Sequence, residues 1–587
     1  MCGWIAVVGS PIDSAMLRES LQVMRHRGPD AEGSWKSPSA LCTLGHCRLS
    51  IIDLSSAGTQ PMTSNDHRYS IVLNGEIYNY LELRRELQDC WLFQTQTDTE
   101  VLLASYARWG EACLDRLLGM FAFAIWDEPA RKLFVARDRF GVKPVYFATL
   151  PSQQLAFASE IKALRQLGVN TGPDLQSWAT YLTYGISDHC ERTFWDRISN
   201  LRAGHALVWQ NGSVVVRKWY DLASIAEESE SGRPESEVIE EYQGLMLDSI
   251  GLRFRSDVPV GINLSGGLDS SVLLRQVHLF QRESSVCAFT FITGDPLYDQ
   301  LDAVQQMLAC TRHPHILCKL GPEEVPDLAS RLQTYQEEPF GGMATIAYSK
   351  IFQEARRRGI IVLLDGQGLD EQWAGYEYYA RADQPEQVQR PVLGPVQGSV
   401  SKPVRPECLE DEFRNLALPL FAPHAFPDEL RNLQYRDAVF TKIPRALRYN
   451  DRISMMHGTE LREPFLDHRL FELALAQRGE LKIRDGVQKW LLRKMHGPIM
   501  PLGVINAPKQ PVQTPQREWL ANQLKGWLLE LLNDQGLWAL GWLRRDKVEE
   551  SLRAYFDGTQ DNSYFLWQWL SLTLWLNNCL RAGPRCH

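Results

Sequence analysis

The stretch Val258-Pro-Val-Gly-Ile-Asn-Leu-Ser-Gly-Gly-Leu-Asp-Ser-Ser271 constrains this chain most, because it joins an apolar strand to a helix through a loop suited to an anion. Ser265-Gly266-Gly267 lets the backbone come close to a ligand. A helix opening at about Ser270 aims its free N–H groups and positive dipole end at the same point. Asp269 inside such a turn is costly unless a cation shares the site, and a magnesium ion carried in on a nucleotide supplies one. The loop predicts a cradle for Mg-ATP. The bland alternative is a plain strand, Gly-Gly turn and helix.

The chain has no Gly-Lys dipeptide and no Gly-x-Gly-x-x-Gly, so the P-loop and the dinucleotide fingerprint are both excluded. Ser265-Gly-Gly-Leu-Asp-Ser270 after an apolar strand resembles instead the pyrophosphate loop of the ATP pyrophosphatases. That resemblance implies adenylation of a substrate with release of pyrophosphate. It also implies ATP contacts from Leu264, Ser265, Gly266, Gly267, Leu268, Asp269 and Ser270, with Phe291, Asp365 and Gly366 completing the site.

An amphipathic helix over Glu235–Arg255 leads into the loop, and apolar strands at Val286–Ile292, His315–Cys318 and Ile360–Leu364 alternate with helices after it. This pattern predicts a parallel α/β sheet with nucleotide at the carboxyl ends of its strands. Leu363-Leu-Asp-Gly-Gln-Gly-Leu-Asp-Glu371 follows one such strand. Asp370 is the expected second magnesium ligand opposite Asp269, because a hard cation draws oxygen donors from more than one loop. A solvated acidic turn is the other reading.

At the opposite end, Ile5–Val8 reads as a strand with Cys2 just ahead of it. If Met1 is removed, the thiol and a free α-amine share one residue. An α-amine titrates at about 7.7–8.0, close enough to neutrality to take the thiol proton. Cys2 is then a nucleophile carrying its own base, against the alternative of a small buried residue at a strand start. Arg25-His-Arg-Gly-Pro-Asp30, Gly45-His-Cys-Arg-Leu-Ser-Ile-Ile-Asp53, Leu73-Asn-Gly-Glu-Ile-Tyr-Asn79 and Thr97-Asp-Thr-Glu100 follow in order. Taken with Cys2 they resemble the glutaminase domain of the N-terminal-nucleophile amidotransferases, in which the cysteine attacks the glutamine side-chain amide and frees ammonia. The resemblance implies that Arg48 holds the glutamine α-carboxylate and that Glu76 and Asp98 accept from its α-ammonium. Asn74 and the Gly75 N–H are the implied oxyanion hole. Singly, each of these residues reads as surface or turn.

Strands are expected at Met120–Trp126, Leu133–Arg137, Val145–Phe147 and Leu155–Ala158, and a hairpin joins Ala206–Trp209 to Val214–Trp219 through Gln-Asn-Gly-Ser. With helices near Ala15–Met24, Tyr80–Leu87 and Glu100–Trp109, the first domain is expected to be an αββα sandwich of two antiparallel sheets. Ala136-Arg-Asp-Arg-Phe-Gly-Val-Lys-Pro-Val-Tyr146 resembles the same family, its charges being structural or placed at the domain boundary. The acidic run Ser224–Pro234 packs nothing on this reading. The domains are therefore drawn as 1–223, a linker 224–234, and 235–587.

Gln336-Glu-Glu-Pro-Phe-Gly-Gly342, Asp451-Arg-Ile-Ser-Met455 and Arg462-Glu-Pro-Phe-Leu-Asp-His468 complete a set similar to the synthetase domain of glutamine-dependent asparagine synthetases. The resemblance runs from Cys2 to about Leu520 and implies a catalytic lysine near the phosphates at Lys509. Two places depart from it. Gln367 stands where a glutamate is often found, and an amide takes no proton at neutral pH, so proton removal from attacking ammonia falls to water, phosphate or another carboxylate, Glu337 or Glu338 being a candidate. The usual Lys-Gln-Gly-Phe run is Lys509-Gln-Pro-Val512.

Length sets the frame for these readings: 587 residues exceed one core and call for two or three domains. A net charge of −9 gives no basic footprint for nucleic acid. The 12 cysteines form no Cys-x-x-Cys pair, so neither a disulfide framework nor a zinc site is expected, and a reducing cytoplasm fits. The N-terminus reads as no signal peptide and no apolar run is long enough to span a membrane. Trp567, Trp569 and Trp575 are expected to pack in a C-terminal helix, and Pro385–Pro406 reads as a loop or insertion without a role.

The combined expectation is a two-site amidotransferase using glutamine, Mg-ATP and a carboxylate, with aspartate giving asparagine, and a homodimer is compatible with it. The alternatives are another carboxylate (on a saccharide, peptide or specialised metabolite), ring closure by an internal amine, and a silent homologue serving as a regulatory or binding subunit. The intact glutaminase residues speak against the last two.

Overall fold

The computed structural model describes residues 2–228, 232–281, 286–382, 392, 403–421, 423–509, 514–558 and 562–583. Strand β1 (Gly3–Val8), buried at all six positions, sets the architecture of the first half. A strand that is apolar throughout needs cover on both faces. One face of β1 meets a second sheet and the other meets the helix Ser14–Gln22, through Leu17 and Leu21.

The first sheet adds β2 (Ala31–Lys36) and β3 (Cys42–Arg48), and the second begins with β4 (Met62–Thr63) and β5 (Tyr69–Ile77). Then come β6 (Gly119–Asp127), β7 (Lys132–Arg137), β8 (Tyr146–Thr149), β9 (Leu155–Ala158), β10 (Ser199–Asn200), β11 (His205–Gln210) and β12 (Ser213–Lys218). They form two six-stranded antiparallel sheets of order β10-β8-β9-β1-β3-β2 and β12-β11-β7-β6-β5-β4. Trp4, Ala6 and Leu44 of one face Val72, Ala122 and Trp126 of the other. The helix Asp98–Trp109 covers the second sheet through Leu102 and Tyr106. This is the expected αββα sandwich.

The second half is built on β13 (Val260–Asn263), β14 (Cys287–Ile292), β15 (His315–Lys319), β16 (Val362–Leu364) and β17 (Glu460–Arg462), a parallel sheet of order β15-β14-β13-β16-β17. Sequence patterning anticipates the first four strands and misses β17, whose Glu-Leu-Arg is not apolar. Its charges are buried as a pair, Arg462 Nε donating to Glu460 Oε1 at 2.5 Å. The helix Tyr564–Trp575 buries Trp567, Trp569 and Trp575 as expected.

The expected linker is corrected at its start. Leu222–Glu228 is a helix whose Leu222 and Ala226 are buried at the domain seam, because two apolar positions four apart share a helix face. Most of Pro385–Pro406, and Gln510 to Val512, lie outside the described residues.

One apolar cluster spans both halves, with Leu49, Ile52, Met120 and Val142 against Leu447, Met455 and Leu466. Beside it runs a fully buried ionic junction. Arg27 donates to both oxygens of Asp451, at 2.8 and 3.1 Å, and to Glu160 at 2.9 Å. Arg452 reaches Glu160 at 2.9 Å and Glu337 at 3.2 Å. Removing one partner of such a pair strands an uncompensated charge, so Asp451→Ala is expected to destabilise the protein by about 3–5 kcal/mol. The expected readout is a lower midpoint in urea unfolding, with the same change at exposed Asp546 leaving it unmoved.

Candidate functional site

Cys2 sits where β1 begins, and the β1–β3 register carries its neighbour Gly3 opposite Cys47, so Arg48 lies beside Cys2. The backbone N–H of Cys2 donates to Asn74 Oδ1 of β5 at 3.1 Å, across the gap between the sheets. With its oxygen so engaged, Asn74 is held in one orientation. Its Nδ2 is buried with no hydrogen-bond partner among the described residues. Burial pushes the Cys2 thiol pKa up. Arg27, from the turn before β2, donates Nε to the Cys2 carbonyl at 3.1 Å and so ties Cys2 to the ionic junction.

The other expected glutamine contacts surround this point. Arg48 donates to the carbonyls of Ser55 at 2.7 Å, Ile52 at 3.3 Å and Asp53, so its guanidinium braces the 52–55 turn. Glu76 is buried, with Arg462 Nη2 3.7 Å from Oε1 and Oε2 unpartnered among the described residues. Burial and the nearby Glu460 and Asp98 charges hold its carboxyl well above the usual range. Burial likewise raises Asp98 to about 6, although Ile77 N–H donates to it at 2.8 Å. Two acids that resist ionisation on their own are suited to a cationic ligand. At Gly75, on β5, φ is +146° and a Cβ would lie 2.0 Å from the Met120 carbonyl oxygen. That position admits glycine alone.

The second site lies at the carboxyl end of the parallel sheet. Ser265-Gly266-Gly267 leaves β13 and enters the helix Leu268–Phe280. Gly266 has φ +83°, and a Cβ there would press the Gln300 carbonyl oxygen at 2.8 Å. Ser270 Oγ accepts from Ser265 N–H at 3.1 Å and closes the turn. Beside it opens a cavity of about 650 Å³ lined by Gly266, Gly267, Leu268, Lys489, Arg493 and Lys509 among others. Gly366 brings the second loop against the first, a Cβ there meeting the Asp269 backbone at 3.0 Å. Asp365 accepts from Tyr348 Oη, which in turn accepts from Asn263 Nδ2 at 2.5 Å. Leu264 packs into the core below the loop, and Phe291 packs toward the core one residue before cavity-lining Ile292.

Asp269 and Asp370 converge on Lys489 Nζ, with Asp370 Oδ1 at 2.6 Å. Lys509 pairs with the other oxygen of Asp370. Burial opposes ionisation of Asp370, yet Lys489 and Lys509 hold its carboxyl well below the usual range. Asp269 is raised by burial and by the Asp370 charge. Lys509, despite burial, is raised by Asp370 and Asp269. Sequence reasoning finds Asp269, Asp370 and Lys509 and misses Lys489, an isolated lysine in no motif. Its left-handed backbone, φ 51° at the start of the helix Trp490–His496, is what turns it into the site. Gly375 makes room for the cluster, since a Cβ there would lie 1.9 Å from Asp370 Oδ1 and 2.2 Å from Lys489 Cε.

Glu337 and Glu338, the expected proton acceptors, are instead spent on the domain junction. Glu337 accepts from the Ile161 N–H at 3.1 Å and from the Lys162 N–H, and Glu338 accepts from the Phe194 N–H at 2.9 Å. Each follows the helix Val325–Gln336 where it meets the first domain, so the junction claims both carboxylates.

A glutamine amidotransferase domain family matches residues 1–220, and an asparagine synthase family matches residues 241–577. The chain is 29% identical to asparagine synthetase [glutamine-hydrolyzing] 1 of Bacillus subtilis, over 98% of this chain and 96% of that protein. It is 30% identical to a putative asparagine synthetase [glutamine-hydrolyzing] of Mycobacterium tuberculosis, over 98% and 97%. It is also 26% identical to amidase chry2 of Gibberella zeae, over 92% and 91%. No helix among the described residues is long and apolar enough to cross a membrane. Two domain matches that together span the chain, on a fold carrying both constellations, decide the matter: it belongs to the asparagine synthase family of ATP-dependent, glutamine-hydrolysing amide ligases.

Proposed function

We propose that this protein makes asparagine, with Cys2 hydrolysing glutamine and the second site adenylating aspartate for attack by the released ammonia. The observation that carries the reading is the Asp269–Asp370–Lys489–Lys509 cluster at the mouth of the glycine loop, in the same chain as the Cys2–Asn74 pair. After removal of Met1 the Cys2 α-amine takes the thiol proton, and Asn74 Nδ2 with the Gly75 N–H receives the oxyanion. Arg48, Glu76 and Asp98 hold the glutamine head group.

ATP lies along Leu264 to Ser270 with Phe291, Asp365 and Gly366 about it. The donor set fits Mg²⁺, since Asp269 and Asp370 bring carboxylates from separate loops to one lysine ammonium and a hard cation draws oxygen donors in that way. Asp269 and Asp370 would hold that ion, which would draw charge off the phosphates when bound. Lys489 and Lys509, released from the carboxylates, turn to the departing pyrophosphate. Ammonia is largely protonated in water near neutral pH, and the shared apolar cluster of Ile52, Met120, Val142 and Leu466 offers the neutral form a dry way between the sites. An acceptor other than aspartate is the second reading, favoured by Gln367 and by relatives that are called amidases.

The direct test supplies Mg-ATP, glutamine and aspartate to protein whose N-terminus is confirmed as Cys2. Pyrophosphate, AMP and asparagine are expected in equal amounts, whereas glutamate without aspartate-dependent pyrophosphate contradicts aspartate as acceptor. Cys2→Ala is expected to lower glutamine-supported synthesis at least about a thousandfold while ammonium salts still support it, as a coupled amide assay reads. Lys489→Ala is expected to cut aspartate-dependent ATP–pyrophosphate exchange about a hundredfold and to spare glutamine hydrolysis. Gly375→Ala, by displacing both Asp370 and Lys489, is expected to give the same split.

A further inference from the structure

The chemistry just proposed leaves one proton without a destination. Nitrogen attacking an acyl-adenylate must lose a proton to become an amide, Gln367 accepts none at neutral pH, and Glu337 and Glu338 are spent on the junction. A different carboxylate stands at the right place. β16 and β17 pair in parallel with Leu364 opposite Arg462, and the Asp365 N–H donates to the Arg462 carbonyl at 2.9 Å. Asp365 and Glu463 are therefore the first residues past the carboxyl ends of adjacent strands, so Glu463 borders the loop that carries Gln367.

Glu463 also faces the other domain. It lines a small cavity of about 20 Å³ with Tyr78, just past the strand carrying Asn74 and Glu76, and with Met120, which pairs with Glu76 on the next strand. That volume holds about one water-sized molecule, the size of ammonia. Glu463 is 4% exposed, and no donor among the described residues hydrogen-bonds its carboxylate.

We propose that Glu463 is the proton acceptor for the nitrogen nucleophile, taking the place of a carboxylate at position 367. This rests on the adenylating reading of the second site. The nitrogen lone pair forms the C–N bond, an N–H proton passes to a Glu463 oxygen, and the C–O bond to AMP breaks with its electron pair leaving on the phosphate. The proton then returns to solvent as product leaves.

The surroundings set the pH range. Burial pushes Glu463 up to about 8, with Asp365 and Asp138 adding to the rise and Lys143 and Arg253 opposing it. Arg139, Tyr78, Asp467 and His468 complete the cavity wall. The carboxyl is neutral below about 8 and becomes a base as pH rises through that value, so amide formation gains a rising limb there.

The full chain is compared with Glu463→Gln and Glu463→Asp in ATP–pyrophosphate exchange, glutamine hydrolysis and amide formation from ammonium chloride, across pH. With Glu463→Gln, amide formation is expected to fall about a hundredfold, the rising limb to vanish, and pyrophosphate released per amide to increase as water consumes the adenylate. Exchange and glutamine hydrolysis persist and report an intact fold. Adding Gln367→Glu to that variant, or using Glu463→Asp, is expected to restore amide formation in part. A parallel fall of exchange and amide formation, a retained limb, or no recovery in either restoring variant overturns the proposal. If the wild type shows no exchange with aspartate, the aspartate reading falls, and the Glu463 comparison is read on whichever carboxylate of a panel gives exchange. If none does, both fall.

Discussion

A buried guanidinium ties the Cys2 backbone to the second half of this protein. Arg27 donates to the Cys2 carbonyl with one nitrogen and to Asp451 and Glu160 with the others, all in full burial. Such a cation survives out of water because every direction it faces offers an oxygen. The consequence is mechanical: Cys2 of the first domain is linked through the Arg27 side chain to a helix of the second, Lys442–Met456. An apolar seam that excludes water runs beside that anchor, and an ammonia route needs those two properties together.

Charge at the nucleotide end follows a different rule. Burial and the Asp370 charge oppose ionisation of Asp269, and Lys489 and Lys509 supply the countercharge that holds Asp370 ionised. On the proposed function, these cations change partners when phosphates enter. The site is thus neutralised before its ligand arrives and keeps its cations within reach.

How much of this could be read from the chain depended on whether the signal was local. The glycine loop, the hairpin and the apolar strands β1, β13 and β14 declare themselves because turn chemistry and strand patterning act over a few neighbours. Cys2, Asn74, Arg48, Asp269 and Asp370 were visible as parts of ordered motifs. What stayed hidden depends on distant partners. β17 is a strand because its glutamate and arginine bury each other, the 222–228 helix exists because the seam covers Leu222 and Ala226, and Lys489 reaches its carboxylates from 119 residues beyond Asp370. Glu337 and Glu338 look like free acids in a polar run, and only the packed junction reveals their donors.

The central claim is that two sites in one chain share a nitrogen atom without losing it to solvent. The most direct measurement gives the protein [amide-¹⁵N]glutamine, Mg-ATP and aspartate in a large excess of unlabelled ammonium, and reads the isotope in the product amide by mass spectrometry. The account predicts that the product keeps the glutamine label. Product amide diluted to the isotope level of the bulk ammonium would contradict it.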